Sequence, residues 1–80
     1  MSPHQMRQRA VAVMVDSVVK AGLKYDSMTE AFWRDGKKFD LRPSIDKALD
    51  KLPAEVQMTM PEAEAAIILQ LVARRAGAGA

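Results

Sequence analysis

Eighty residues with 12 basic against 10 acidic side chains and a formal net charge of +2 leave material for one core and not two. With no cysteine, disulfides and thiolate zinc sites are excluded, and the near balance of charge lacks the basic face of a dedicated nucleic-acid binder. A domain this small buries only about 60% of its unfolded-chain surface, so oligomerisation or unusually good helix packing must supply the missing stability.

The chain opens on a helix signal. Ser2 is a natural N-cap, Pro3 suits the first helical position, and Gln5 completes a capping box with Ser2. From there to Gly22 the apolar residues Val11, Met14, Val15, Val18 and Val19 share one broad face, which Met6, Ala10, Val13 and Ala21 extend. Gln5, Arg9, Asp16 and Lys20 form a narrow polar wedge, with Asp16 and Lys20 at pairing distance i,i+4. Valine-rich Ala10–Val15 could also read as a buried strand, but length and caps favour helix. Gly22 supplies a left-handed exit.

Ser27 with Glu30 is a second start signal, predicting a short helix from Met28 to about Arg34 with Met28, Ala31 and Phe32 inward and Asp35-Gly36 ending it. Asp-Gly between Phe32-Trp33-Arg34 and Lys37-Lys38-Phe39 is equally a hairpin signal. Helix followed by turn is preferred, because those flanks do not alternate cleanly. Arg42-Pro43-Ser44 begins a third helix to about Lys51, with Ile45, Ala48, Leu49 and Leu52 inward and Asp46, Lys47, Asp50 and Lys51 outward. Pro53 stops it, and Ala54–Met58 connects onward. Thr59 with Glu62 starts the last helix, which runs to Gly77; Ile68 and Leu69 are expected among its buried side chains. Acids near its start and Arg74 and Arg75 near its end suit the helix dipole.

The expected architecture is therefore all-α: a small bundle of three to four helices with the N-terminal and C-terminal helices forming the apolar centre. Residues 1–76 make a single helical domain and 77–80 a flexible tail.

Motifs for chemistry are sparse. No nucleophile–base pair, phosphate-binding glycine loop or clustered metal ligands can be traced, so no enzyme activity, cofactor or metal is expected. His4 stands alone in a first helical turn. The pairs Asp46/Asp50 and Glu62/Glu64 read as a solvated face and a dipole complement. No leader pattern and no run of roughly 20 apolar residues is visible, and the lack of cysteine agrees with a reducing, cytoplasmic compartment.

What remains is recognition. The first and last helices are apolar around most of their circumference, which points to self-association through Val11, Val15, Val18, Ile67, Ile68 and Leu71. Tyr25, Trp33, Arg34, Lys37, Lys38 and Arg42 combine the chain's densest cations with two aromatic rings, and are the expected contacts for another partner. Methionines such as Met58 and Met60 suit an adaptable contact surface. These features favour a small protein–protein interaction module, the build of many bacterial and phage-encoded regulators and inhibitors, which docks on a larger target and modulates it. The alternative is a dimeric DNA-binding transcriptional regulator using the basic segment 34–42, although Val18–Lys51 does not read as a helix-turn-helix.

Overall fold

A computed structural model describes residues 2–78 of the chain. Helix α1 (Pro3–Lys20) is followed by three strands, β1 (Lys24–Asp26), β2 (Ala31–Arg34) and β3 (Lys37–Phe39). Helix α2 (Arg42–Asp50), a single 3-10 turn (Ala54–Val56) and helix α3 (Met60–Ala78) complete the order. The strands make an antiparallel meander in the order β1-β2-β3. The protein is thus a mixed α and β fold and not the all-α bundle expected from its sequence.

The correction rests on two turns. Asp35 and Gly36 both take positive φ, 53° and 76°. That is the mirror-image backbone that matches the twist of a two-residue hairpin, so Arg34 pairs with Lys37 across it. Upstream, the Asp26 carboxylate accepts the Met28 N–H and the Thr29 hydroxyl, each at 3.0 Å. Asp26 thereby organises a turn one residue before Ser27, and Ser27 caps nothing. Met28, expected inward, stands at the tip of that turn and is 91% exposed.

Strand register then decides what faces the core. Tyr25, Phe32 and Phe39 form one row across the three strands, with the Tyr25 and Phe32 rings tilted at 5.2 Å between centroids. Phe32 is buried, and its two row neighbours pack on the same cluster. Into it α1 sends Val11, Met14, Val15 and Val18, α2 sends Ile45 and Leu49, and α3 sends Ala63, Ile67 and Leu71.

The helix ends follow their local signals. Ser2 and Gln5 make the reciprocal capping box, at 3.2 and 3.1 Å. At the far end of α1 the Leu23 N–H reaches the Val18 carbonyl and the Gly22 N–H reaches that of Val19, with Gly22 left-handed. Thr59 accepts the Glu62 N–H and donates its hydroxyl to the Glu62 carboxylate. Gln57, in the connector, donates to the carbonyls of Leu49 and Leu52 and so closes the end of α2. Helix α3 includes residues 77 and 78; the rest of the expected tail, 79–80, lies outside the described residues. No helix among the described residues is long and apolar enough to cross a membrane.

Candidate binding surfaces

Both α1 and α2 pack on α3, but they scarcely meet each other. Between them lies an open apolar groove of about 660 Å³, floored by the core side chains Met14, Val18, Leu41, Ile45 and Ile67. The gap exists because the facing flanks carry short side chains, Ala10, Ser17 and Ala21 on α1 against Ser44 and Ala48 on α2. Val13, 65% exposed, stands on the α1 wall.

The charge on this groove is of one sign. Lys47 and Lys51, one turn apart, line the α2 wall, and no acidic residue lines any part of it. Asp46 and Asp50 fall on the opposite arc of α2 by helical period. On the far side of α1, Asp16 is joined to Arg74 of α3 at 2.7 Å, in place of the Lys20 partner expected within the helix. Among the described residues the ion pairs are Arg74–Asp16 and Arg42–Asp40, so neither groove lysine holds a carboxylate.

The residues expected to bind a partner are divided by the sheet. Trp33 lies on its outer face, in register between Lys24 and Lys38. Its indole N–H donates to the Thr29 hydroxyl at 3.0 Å, which in turn donates to Asp26. Tyr25 faces the other way, into the core row. The Arg34 guanidinium lies 5.5 Å from the Phe39 ring centroid, and Lys37 follows across the turn. Arg42 is engaged beyond the sheet: its Nε and its backbone N–H both donate to Asp40 Oδ1 at 3.1 Å. That contact holds the Asp40 carboxyl below the ordinary carboxylate range and raises Arg42. Lys24, which pattern alone did not single out, belongs with Trp33 and Lys38 because strand register puts it there.

The residues expected to drive self-association have a different fate. Val11, Val15, Val18, Ile67 and Leu71 are all buried within this chain, and Ile68 is half-buried. The sheet, absent from the expected bundle, joins the expected helix α2 in covering the faces that two helices alone would have left bare. Leu69 is the converse case. The core stripe of α3 runs through positions 63, 67 and 71, which turns Leu69 outward to 71% exposure. Among the described residues the exposed large apolar side chains are Val13 and Val19 on α1 and Leu69 and Val72 on α3, with Met28 at its turn.

No buried polar or charged side chain and no group of three potential metal ligands occurs among the described residues. Compared with known proteins, the chain matches no family model, no curated protein and no solved structure.

Proposed function

We propose that this chain is a small interaction module that docks on a larger macromolecular target and modulates it, with the groove between α1 and α2 as the docking surface. The observation that carries this reading is the groove itself. Six core side chains, Leu23 among them, line an open groove of about 660 Å³, within the range of ligand sites. The floor itself is nearly covered, and the apolar surface left to water lies on the walls, above all at Val13, 65% exposed; a partner laid in the groove would bury that surface.

Position-specific photo-crosslinking in the source cell tests this. A benzophenone amino acid placed at Ser44, on the groove wall, is expected to give a discrete adduct with another macromolecule. The same group at Asp46, on the opposite arc of α2, is expected to give none. Adducts of equal strength from both positions, or none from either, overturn the reading.

A second reading has its own support in the Lys24–Trp33–Lys38 row. An aromatic ring between two ammonium groups is a surface on which nucleic-acid bases stack and phosphates pair, while Arg34 and Lys37 alternate to the Phe39 face and add positive charge only at the turn beside it. Quenching of Trp33 fluorescence by oligonucleotides, with affinity falling steeply as salt rises, is its signature. Replacing Arg34, Lys37 and Lys38 together by alanine is expected to weaken that binding while leaving the melting temperature nearly unchanged.

A further inference from the structure

Resting on the groove reading, we infer that the occupant is an amphipathic α-helix of the partner carrying acidic residues along one flank. Charge supports this first. The α2 wall offers two ammonium groups one helical turn apart, Lys47 and Lys51, a spacing that acids at i and i+4 of a neighbouring helix match. The carboxylates that could have neutralised the site are directed elsewhere, Asp16 to Arg74 and Asp46 and Asp50 to the opposite arc of α2. An acidic flank therefore gains contacts here, and a basic one meets only repulsion.

Shape supports a helix in particular. The groove lies open between two helices and is not a closed cavity. Its walls present Ala10, Ser17 and Ala21 on one side and Ser44 and Ala48 on the other. Short side chains let a third helix approach both neighbours at the roughly 8–10 Å between axes that helix packing prefers. The nine residues of α2 give a wall about 13 Å long at about 1.5 Å per residue. That length accommodates apolar anchors at i, i+3 or i+4, and i+7, the usual reading of a helix held in a groove. Met14 and Val18 in the floor, with Ile45 and Ile67 beside them, give those anchors an apolar seat.

The test uses the full chain with a panel of fluorescein-labelled amphipathic helical peptides, each with leucines at i, i+3, i+4 and i+7. One series has glutamates along a flank, and its counterpart has lysines there. Anisotropy titrations at low ionic strength are expected to show the glutamate series binding roughly tenfold or more tightly than the lysine series, a difference that shrinks with salt. The double variant Lys47→Glu/Lys51→Glu is expected to reverse the preference, and Asp46→Asn/Asp50→Asn to leave it unchanged. Both pairs are exposed, so unchanged circular dichroism and melting are expected to show that the fold is retained.

Equal binding of the two series, a preference untouched by the charge reversal, or failure of both series to bind overturns the inference. Saturable binding of laurate in place of either peptide series also overturns it, and makes the groove a site for an anionic acyl chain. Failure here is distinguishable from failure of the docking reading. Adducts at Ser44 that persist when no peptide binds leave a docking surface whose partner is not an acidic helix.

Discussion

Helix α1 is flanked by α3 on one side and α2 on the other, and the two sides are closed in different degrees. Toward α3, long polar side chains bridge the gap: Gln70 donates to the Gln8 carbonyl, and Arg74 donates to Asp16 and to the Ala12 carbonyl. Toward α2, Ala10, Ser17 and Ala21 face Ser44 and Ala48, with Val13, Lys47 and Lys51 also on the walls, and among the described residues no side-chain hydrogen bond or ion pair joins the two helices. Hydrophobicity does not separate the two flanks, since Val13 on the open side and Val19 near the closed one are both exposed. Bridging by polar side chains does. A helix pair whose facing residues are short leaves a gap when a third element holds their backbones apart, and here α3 and the strand end at Phe39 and Leu41 hold them.

The largest expected effect comes from the element that serves both flanks. Ile67 is 1% exposed and lies in the groove floor as well as the core. Ile67→Ala is expected to cost about 2–5 kcal/mol in urea unfolding, from lost burial and the cavity left behind. Leu69→Ala, two residues on but facing solvent, is expected to stay within about 0.5 kcal/mol of the parent. Equal losses from the two would mean that α3 sits in another rotation and that the groove has a different floor.

Closing the open flank should stabilise the chain. Ser17→Leu combined with Ser44→Leu supplies the missing length on both walls, and is expected to gain about 0.5–2 kcal/mol. Ser17 also returns its hydroxyl to the Val13 carbonyl at 3.2 Å, a bond inside the helix that leucine can forgo at little expense. The same variant should lose binding at the groove, so thermal melting and peptide anisotropy are expected to move in opposite directions. Loss of stability would show the walls to be too near each other for a third helix.

Opening the closed flank should act the other way and by less. Arg74→Ala removes the bonds to Asp16 and the Ala12 carbonyl, both partners of the ion pair being about half exposed. Discounted for solvent screening, the loss is expected at about 0.5–1 kcal/mol and to diminish in high salt. A loss that ignores salt would assign the effect to the packing of the arginine stem.

This contrast was only partly legible in the sequence. The helices could be traced because their signals are local: Ser2 with Gln5, Pro43 within the first turn of α2, Thr59 with Glu62. The sheet could not, because strands of three and four residues are too short to show alternation. Ser27 and Glu30 also imitate a capping box, while the turn is in fact set by Asp26. Asp35-Gly36 did carry the hairpin, and weighting the φ > 0 demand of that dipeptide above the capping pattern would have found it. The groove had no signature at all. Ala10, Ser17, Ser44 and Ala48 are unremarkable one by one, and only their placement across a gap gives them a meaning. Likewise Lys24 joins Trp33 and Lys38 through strand register alone.

The smallest expected effect concerns Asp40 and Arg42, an ion pair that, unlike Arg74–Asp16, joins residues two apart and bridges no elements. The side-chain bond from Arg42 and its backbone N–H both favour the charged carboxylate, so Asp40 titrates below the ordinary carboxylate value in the folded chain. The sign follows from linkage. A folded-state pKa below the unfolded one contributes stability that is present above the unfolded value and disappears as pH falls through the folded one. Because both side chains are exposed, that contribution is small and should not register as a step in acid unfolding. It should register locally. Carbon-detected NMR titration of the Asp40 carboxyl is expected to give a lowered midpoint that rises toward the ordinary value in Arg42→Ala. The amides of Ser44, Lys47 and Lys51 along the groove wall should keep their chemical shifts in that variant. Movement of those amides would show that the start of α2, and with it the width of the groove, depends on a pair assigned here to the surface alone.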